Sequence, residues 1–132
     1  MSRAGATPLR ILLLAVALIA IAGVGFALRA TSAVGVLRSD GIAFTAPGDS
    51  YYHMRRIVYS AARFPDVLAK DRYVNPPEGG EIVWPPAFDL GIAGLARLLG
   101  AGDAGAVEQV AAWVPPALAA ITVFAAGAVS AT

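Results

Sequence analysis

The chain has 132 residues, of which 58% are hydrophobic and 14% are charged. Soluble globular domains are about 45–50% apolar and roughly 25% charged, so this is the composition of a membrane protein. The net charge of +1 excludes a nucleic-acid binder that relies on a basic surface. The absence of cysteine excludes a disulfide-stapled module and a thiolate metal site.

Residues 11–28 form an uncharged apolar run that predicts a first transmembrane helix. At about 1.5 Å per residue the run spans roughly 27 Å, close to the thickness of the hydrocarbon core. Arg3 and Arg10 precede it, so residues 1–10 are expected in the cytoplasm and the following segment outside. A cleaved signal peptide with its small-residue site at Ala30-Thr31-Ser32-Ala33 is the alternative, and it also places the following segment outside.

A second apolar run, residues 107–132, predicts a second transmembrane helix. Trp113 suits the interfacial aromatic belt, and Pro115-Pro116 would kink the helix. Small residues permit close approach of a helical partner; they are Ala119, Ala120, Ala125, Ala126, Gly127 and Ala128. Because this run reaches the last residue without a polar flank, the chain is expected to be the front end of a longer protein.

The loop between the two runs, residues 29–106, carries most of the ionisable groups. Asp49 is predicted to cap a helix over residues 50–63, which Phe64-Pro65 ends. Asp49, His53 and Arg56 recur at spacings of four and three, so a carboxylate, an imidazole and a guanidinium share one side of this helix. A separate apolar face is formed by Tyr51, Met54, Val58 and Ala61.

The second half of the loop contains two further elements. Residues 70–80 are predicted to be a polar loop with a Pro-Pro-x-Gly-Gly turn. After Trp84-Pro85-Pro86, residues 91–99 are predicted to form a short amphipathic helix that packs on the membrane surface or on another part of the protein.

The residues alone leave the roles of the polar side chains open. Asp49 is either a helix cap or an oxygen ligand for a hard divalent cation. His53 is either structural or a ligand, and Trp84 is either a rigid packing element or a substrate contact. Arginines on the helix are either solvated or hold phosphates bidentately; they are Arg55, Arg56 and Arg63. Asp71 and Asp89 are expected to be caps or ion-pair residues.

Three motifs in order resemble the N-terminal part of the single-subunit oligosaccharyltransferases, which have the GT-C glycosyltransferase fold. They are Gly48-Asp-Ser-Tyr-Tyr-His-Met-Arg-Arg56, Asp71-Arg-Tyr-Val-Asn-Pro-Pro-Glu-Gly79 and Trp84-Pro-Pro-Ala-Phe-Asp-Leu90. The resemblance implies an all-α membrane protein, with this chain as the N-terminal fragment of a multi-span helical bundle. It also implies that Asp49 is a catalytic, metal-binding residue, with His53, Arg56 and Trp84 as donor or structural contacts.

The reaction implied by the resemblance moves a glycan from a lipid diphosphate carrier to Asn in Asn-x-Ser/Thr acceptors. The expected cofactor is Mn²⁺ or Mg²⁺, and the expected partners are the lipid-linked oligosaccharide, an acceptor polypeptide and the bilayer. The expected location is the plasma (inner) membrane of a prokaryote. The family's second acidic motif and its Trp-Trp-Asp signature are absent from the chain, so the 132 residues are expected to be inactive alone.

Two alternatives remain. Another GT-C lipid-linked sugar transferase, such as a protein mannosyltransferase, would also carry an acidic first loop, but with adjacent acidic residues where this chain has Asp49-Ser50. The other alternative is a small non-enzymatic membrane protein whose loop docks a partner and in which Asp49 is only a cap.

Overall fold

The computed structural model describes residues 8–44 and 48–130. These residues form four helices and two short antiparallel hairpins, so the predicted all-α class is confirmed. The chain divides into two compact units, which are described separately below. The first unit joins the N-terminal residues up to Val34 to the residues from Pro115 onward, and the second is Gly35–Val114.

The first unit consists of parts of helix α1 (Pro8–Val36) and helix α4 (Ala104–Ser130), both long and apolar enough to cross a membrane. Leu12, Leu13 and Leu14 point in three different directions around α1, yet each is about half exposed or more. A helix that is apolar on all sides is typical of one covered by lipid or by further protein. The two helices approach closely at Gly127, one of the predicted small residues. A Cβ atom on this glycine would overlap the side chain of Leu18.

Both long helices extend beyond the apolar runs that predicted them. Helix α1 includes Arg10 and Arg29 on either side of residues 11–28, because backbone hydrogen bonding continues regardless of side-chain polarity. Pro115 and Pro116 lie within α4. Arg3 and residues 131 and 132, which the sequence predictions include, lie outside the described residues.

The second unit begins with a hairpin and continues through two short helices to the start of α4. The polar loop predicted over residues 70–80 is closed by a hairpin whose register pairs Lys70 with Glu81. The elements are β1 (Leu37–Arg38), β2 (Gly41–Ile42), α2 (Asp49–Ala62), β3 (Lys70–Asp71), β4 (Gly80–Glu81) and α3 (Ala87–Leu98).

The core of the second unit lies between α2, α3 and the first turns of α4. It confirms an apolar face on α2, although Tyr51 is exposed at 37% and Ile57, which the spacing did not include, is buried at 2%. Small residues on α3 allow α2 to approach closely. The buried cluster comprises Met54, Ile57, Ala61, Ile92, Ala93, Ala96, Val107 and Ala111.

Helix α3 begins at Ala87, one turn before the predicted start at residue 91. Pro86 has helical backbone angles (φ −83°, ψ −8°) and stands at the N-cap, where its missing N–H costs nothing. The helix ends in a Schellman motif at Gly100 (φ +77°), where the N–H of Ala101 bonds to the carbonyl of Ala96 at 2.9 Å. The earlier start places Asp89 inside the helix, on the face that packs against α2.

Candidate functional site

An ion pair between Arg56 of α2 and Asp89 of α3 lies at the polar edge of the core. Nε of Arg56 is 3.0 Å from Oδ2 of Asp89, and each side chain is only 2% exposed. A buried charge is tolerated only when it is paired, since removing either partner would leave the other desolvated and uncompensated. The pair therefore joins the two helices at a fixed position.

Both terminal nitrogens of Arg56 also donate hydrogen bonds. Its Nη1 donates to the hydroxyl of Tyr52 at 3.2 Å, and its Nη2 donates to the carbonyl of Trp84 at 3.1 Å. The guanidinium carbon lies 5.1 Å from the centre of the Tyr52 ring. Arg56 thus ties α2 to the segment that leads into α3.

His53 contacts the other oxygen of the same carboxylate. Its Nδ1 lies 2.8 Å from Oδ1 of Asp89, while the His53 side chain is 38% exposed. Oδ2 of Asp89 accepts no hydrogen bond within the described ranges, because the N–H of Arg56 is not directed at it despite the short distance. The imidazole therefore supplies the hydrogen bond and the guanidinium supplies the opposite charge.

Asp49, His53 and Arg56 lie in one helix at the predicted spacings, and the structure adds the partner of the last two. The imidazole and the guanidinium do lie together, but the carboxylate they contact is Asp89 of α3. From the sequence, Asp89 is expected to be a cap or an ion-pair residue, and the structure confirms the ion pair. The sequence signal for an inward-facing Asp89 is its spacing with Ile92, Ala93 and Ala96, which places it on the buried face of α3.

The predicted capping role of Asp49 is wrong. The residue before α2 is Gly48, with φ +102° and ψ −112°, and among the described residues no side-chain hydrogen bond caps the helix. That backbone conformation favours glycine, so Gly48 takes the boundary and Asp49 becomes the first helical residue. Asp103 shows the contrast, since its Oδ1 accepts the N–H of Ala106 at 2.8 Å at the start of α4.

Asp49 lies at an open cleft of about 430 Å³ between the start of α2 and the second hairpin. Among the described residues its carboxylate has no hydrogen bond or ion pair, and Trp84, which is 65% exposed, lines the same cleft. We call this the Asp49 cleft; its other lining residues are Gly48, Tyr51, Tyr52, Arg55, Tyr73, Val74, Glu81 and Val83. The structure thus brings together two of the predicted site residues, Asp49 and Trp84, in one cavity.

A metal centre is not complete within the described part of the chain. Residues 8–44 and 48–130 contain no group of three or more His, Asp or Glu side chains that could hold a metal ion. Asp49 and Glu81 are the carboxylates at the Asp49 cleft. Oxygen ligands suit Mn²⁺ and Mg²⁺, but these cations take about six ligands, so Asp49 can contribute only part of such a site.

A second buried carboxylate, Asp71, fixes the hairpin to α2. Its Oδ2 accepts from Nε of Arg55 at 2.9 Å and from Nη2 of the same guanidinium, and its Oδ1 accepts the N–H of Tyr73 at 2.9 Å. Burial is the largest single influence and raises the pKa of Asp71. The Tyr73 amide, Arg55 and the charge of Arg72 together outweigh it, so the net pKa lies below the ordinary value of 3.8. Asp71 is therefore an ion-pair residue, as the sequence predicted.

The comparison with known proteins gives one partial similarity. A stretch of 68 residues is 40% identical to the Dolichyl-phosphooligosaccharide-protein glycotransferase 1 of Archaeoglobus fulgidus. It covers 50% of this chain and 11% of that relative, so the two share only a small part of the relative's length. No family model and no solved structure matches the chain. The chain therefore contains an oligosaccharyltransferase-like segment together with two helices that could span a membrane.

Proposed function

We propose that these residues are the N-terminal segment of an oligosaccharyltransferase. The enzyme would move a glycan from a lipid diphosphate carrier to the Asn side chain of Asn-x-Ser/Thr acceptors, outside the plasma membrane of a prokaryote. The observation that carries this proposal is the 40% identity over 68 residues with a protein named as a glycotransferase. The two long apolar helices support it, because a lipid-linked donor requires an enzyme at the membrane.

Within this proposal Asp49 binds Mn²⁺ or Mg²⁺. Its exposed carboxylate serves no capping bond and faces an open cleft, so its oxygens remain available. The remaining ligands would come from outside the described residues. When bound, a divalent cation would offset the negative charge that develops on the departing diphosphate.

The other predicted site residues divide into two roles. Arg56 is 2% exposed and contacts Asp89, Tyr52 and the carbonyl of Trp84, so we assign it to holding α2 against α3 rather than to the donor. His53 and Trp84 are partly exposed, at 38% of the side chain and 65% of the residue respectively. We propose that both rings contact the donor or the acceptor, Trp84 from within the Asp49 cleft and His53 from outside it, on the same helix as Asp49.

The test substitutes Asp49→Asn in the complete protein that carries this segment. The side chain makes no cap bond, so the loop should remain folded, whereas loss of the ligand charge should lower glycan transfer by orders of magnitude. Transfer to an Asn-x-Thr peptide is measured across a Mn²⁺ titration. Asp66→Asn, an exposed carboxylate outside the cleft, is the matched control and should retain the wild-type rate.

The acceptor peptide separates this proposal from its alternatives. Transfer to Asn-x-Thr but not to Gln-x-Thr supports an oligosaccharyltransferase. Transfer to the hydroxyl of Thr in both peptides would instead identify a protein mannosyltransferase. If Asp49→Asn keeps the wild-type rate and metal dependence, Asp49 is not a ligand and the site assignment is wrong.

A further inference from the structure

A second cleft, of about 620 Å³, lies between the C-terminal half of α2 and the β3–β4 hairpin. We call it the basic cleft, because four of its lining residues are cations and two are carboxylates. The cations are Arg55, Arg63, Lys70 and Arg72; the carboxylates are Asp71 and Glu78; and the remaining lining residues are Tyr59, Leu68, Tyr73 and Gly79.

The two carboxylates offset only part of this charge. Asp71 is 3% exposed at its side chain, and both its oxygens are occupied by Arg55 and by the Tyr73 amide. In the part of the chain that the structure describes, no ion pair joins Arg63, Lys70 or Arg72 to a carboxylate. Three cations therefore face the same cavity with Glu78 as the single acidic group not already paired.

Aromatic rings hold two of the guanidinium groups in place. The guanidinium carbon of Arg63 lies 4.6 Å from the centre of the Tyr59 ring, and that of Arg55 lies 4.9 Å from the centre of the Tyr73 ring. Both rings also line the cleft. A stacked guanidinium has lost part of its conformational freedom already, so less entropy is lost when it binds an anion.

The hairpin that forms the opposite wall is tightly packed. A Cβ atom on Gly79, which has φ +77°, would lie 3.2 Å from the carbonyl oxygen of Asp71, so only glycine fits there without strain. The strand pairs Lys70–Glu81 and Asp71–Gly80 hold Lys70 and Arg72 at the cavity edge. The cations are thus placed by a folded wall rather than by a mobile loop.

We propose that the basic cleft binds a phosphate group carried by a small molecule or a lipid. Arginine forks and a lysine ammonium are the side chains that bind phosphate oxygens best, and the cavity is large enough for one phosphate with part of its organic carrier. The same chemistry is offered by a free phosphate compound and by a phospholipid headgroup. This site does not involve Asp49 and stands independently of the proposed transferase activity.

The test titrates inorganic phosphate and inorganic diphosphate into the 132-residue chain in an uncharged detergent, with amide chemical shifts as the readout. Saturable shifts are expected at Lys70, Arg72 and Gly79, which line the basic cleft and not the Asp49 cleft. Arg63→Gln and Arg72→Gln should each weaken binding by about twofold to fivefold, since the two side chains are exposed. Arg38→Gln, which removes an exposed arginine outside the cleft, should leave binding unchanged.

A second arm identifies the source of the phosphate. The chain is placed in nanodiscs of phosphatidylcholine alone or with phosphatidylglycerol. If the anionic lipid displaces inorganic phosphate from the cleft, the ligand is a headgroup; if phosphate still binds, the ligand is a free phosphate compound. An absence of saturable shifts in every medium overturns the proposal, as does an Arg38→Gln effect equal to that of the cleft variants. Asp49→Asn should leave phosphate binding intact, so failure here is distinguishable from failure of the transferase proposal.

Discussion

Asp89 and Arg56 face each other at 3.0 Å, and each of the two side chains is 2% exposed. The pair joins α2 to α3 across 33 residues of sequence, beside a core built largely from small side chains. A core of this kind buries little apolar area per residue, and a buried charged pair is matched in only one register of the two helices.

Breaking the pair between Arg56 and Asp89 should strongly destabilise the second unit, Gly35–Val114. Asp89→Asn retains the size of the side chain and its contact with His53 but leaves the Arg56 guanidinium buried without an opposite charge. We expect a loss of about 3–5 kcal/mol of unfolding free energy. Hydrogen exchange of α2 amides measures it, with Asp66→Asn as the control at an exposed carboxylate. Equal protection in both variants would show that the pair does not hold the helices together.

Acid should weaken the attachment of the hairpin to α2. The pKa of Asp71 is lower in the folded state than its ordinary value of 3.8, so its stabilising effect is present above that pH and is lost as the pH falls below it. Because Arg55 is about one-third exposed, the contribution is about 1 kcal/mol at neutral pH. Hydrogen exchange of hairpin amides in Asp71→Asn should already show this loss at neutral pH. If acid lowers the protection of these amides in the variant as much as in the wild type, the acid sensitivity comes from a group other than Asp71.

The hairpin should not tolerate a methyl group at Gly80. A Cβ atom there would lie 2.5 Å from Cγ1 and 3.2 Å from the carbonyl oxygen of Val74, and the backbone oxygen cannot move away cheaply. Gly80→Ala should cost about 1–3 kcal/mol, through overpacking. Gly102→Ala is the control, because no atom lies within 4 Å of the added methyl and that variant should be neutral. Urea unfolding followed by tryptophan fluorescence compares the two variants.

The second unit should lie on the outer side of the membrane. Arg3 and Arg10 before the first apolar run favour a cytoplasmic N-terminus. Reporter domains fused at the N-terminus and inserted after Asn75 should therefore report opposite compartments. Asn75 is an exposed turn residue with φ +54°, so an insertion there should leave the hairpin strands paired. A cytoplasmic signal at Asn75 would contradict both the orientation and the proposed function.

The sequence alone determined the membrane class, the two long helices, a short helix over residues 50–63 and its end at Phe64-Pro65. These follow from composition, apolar run length and helical periodicity, which are properties of neighbouring residues. The sequence also indicated Asp49, His53, Arg56 and Trp84 as candidate site residues, and their functional roles stay predictions. Spacing along one helix gives the direction of a side chain but not its partner.

Only the tertiary structure decided which carboxylate His53 and Arg56 contact. Asp89 is 36 residues from His53, and it faces inward only because α3 begins at Ala87 and packs on α2. The backbone angles of Gly48, not the side chain of Asp49, set the start of α2 and left that carboxylate exposed. The pairing of Asp71 with Arg55 and the gathering of Arg63, Lys70 and Arg72 around one cleft likewise depend on how the hairpin closes against α2. Contacts between residues distant in sequence depend on packing, which local periodicity does not encode.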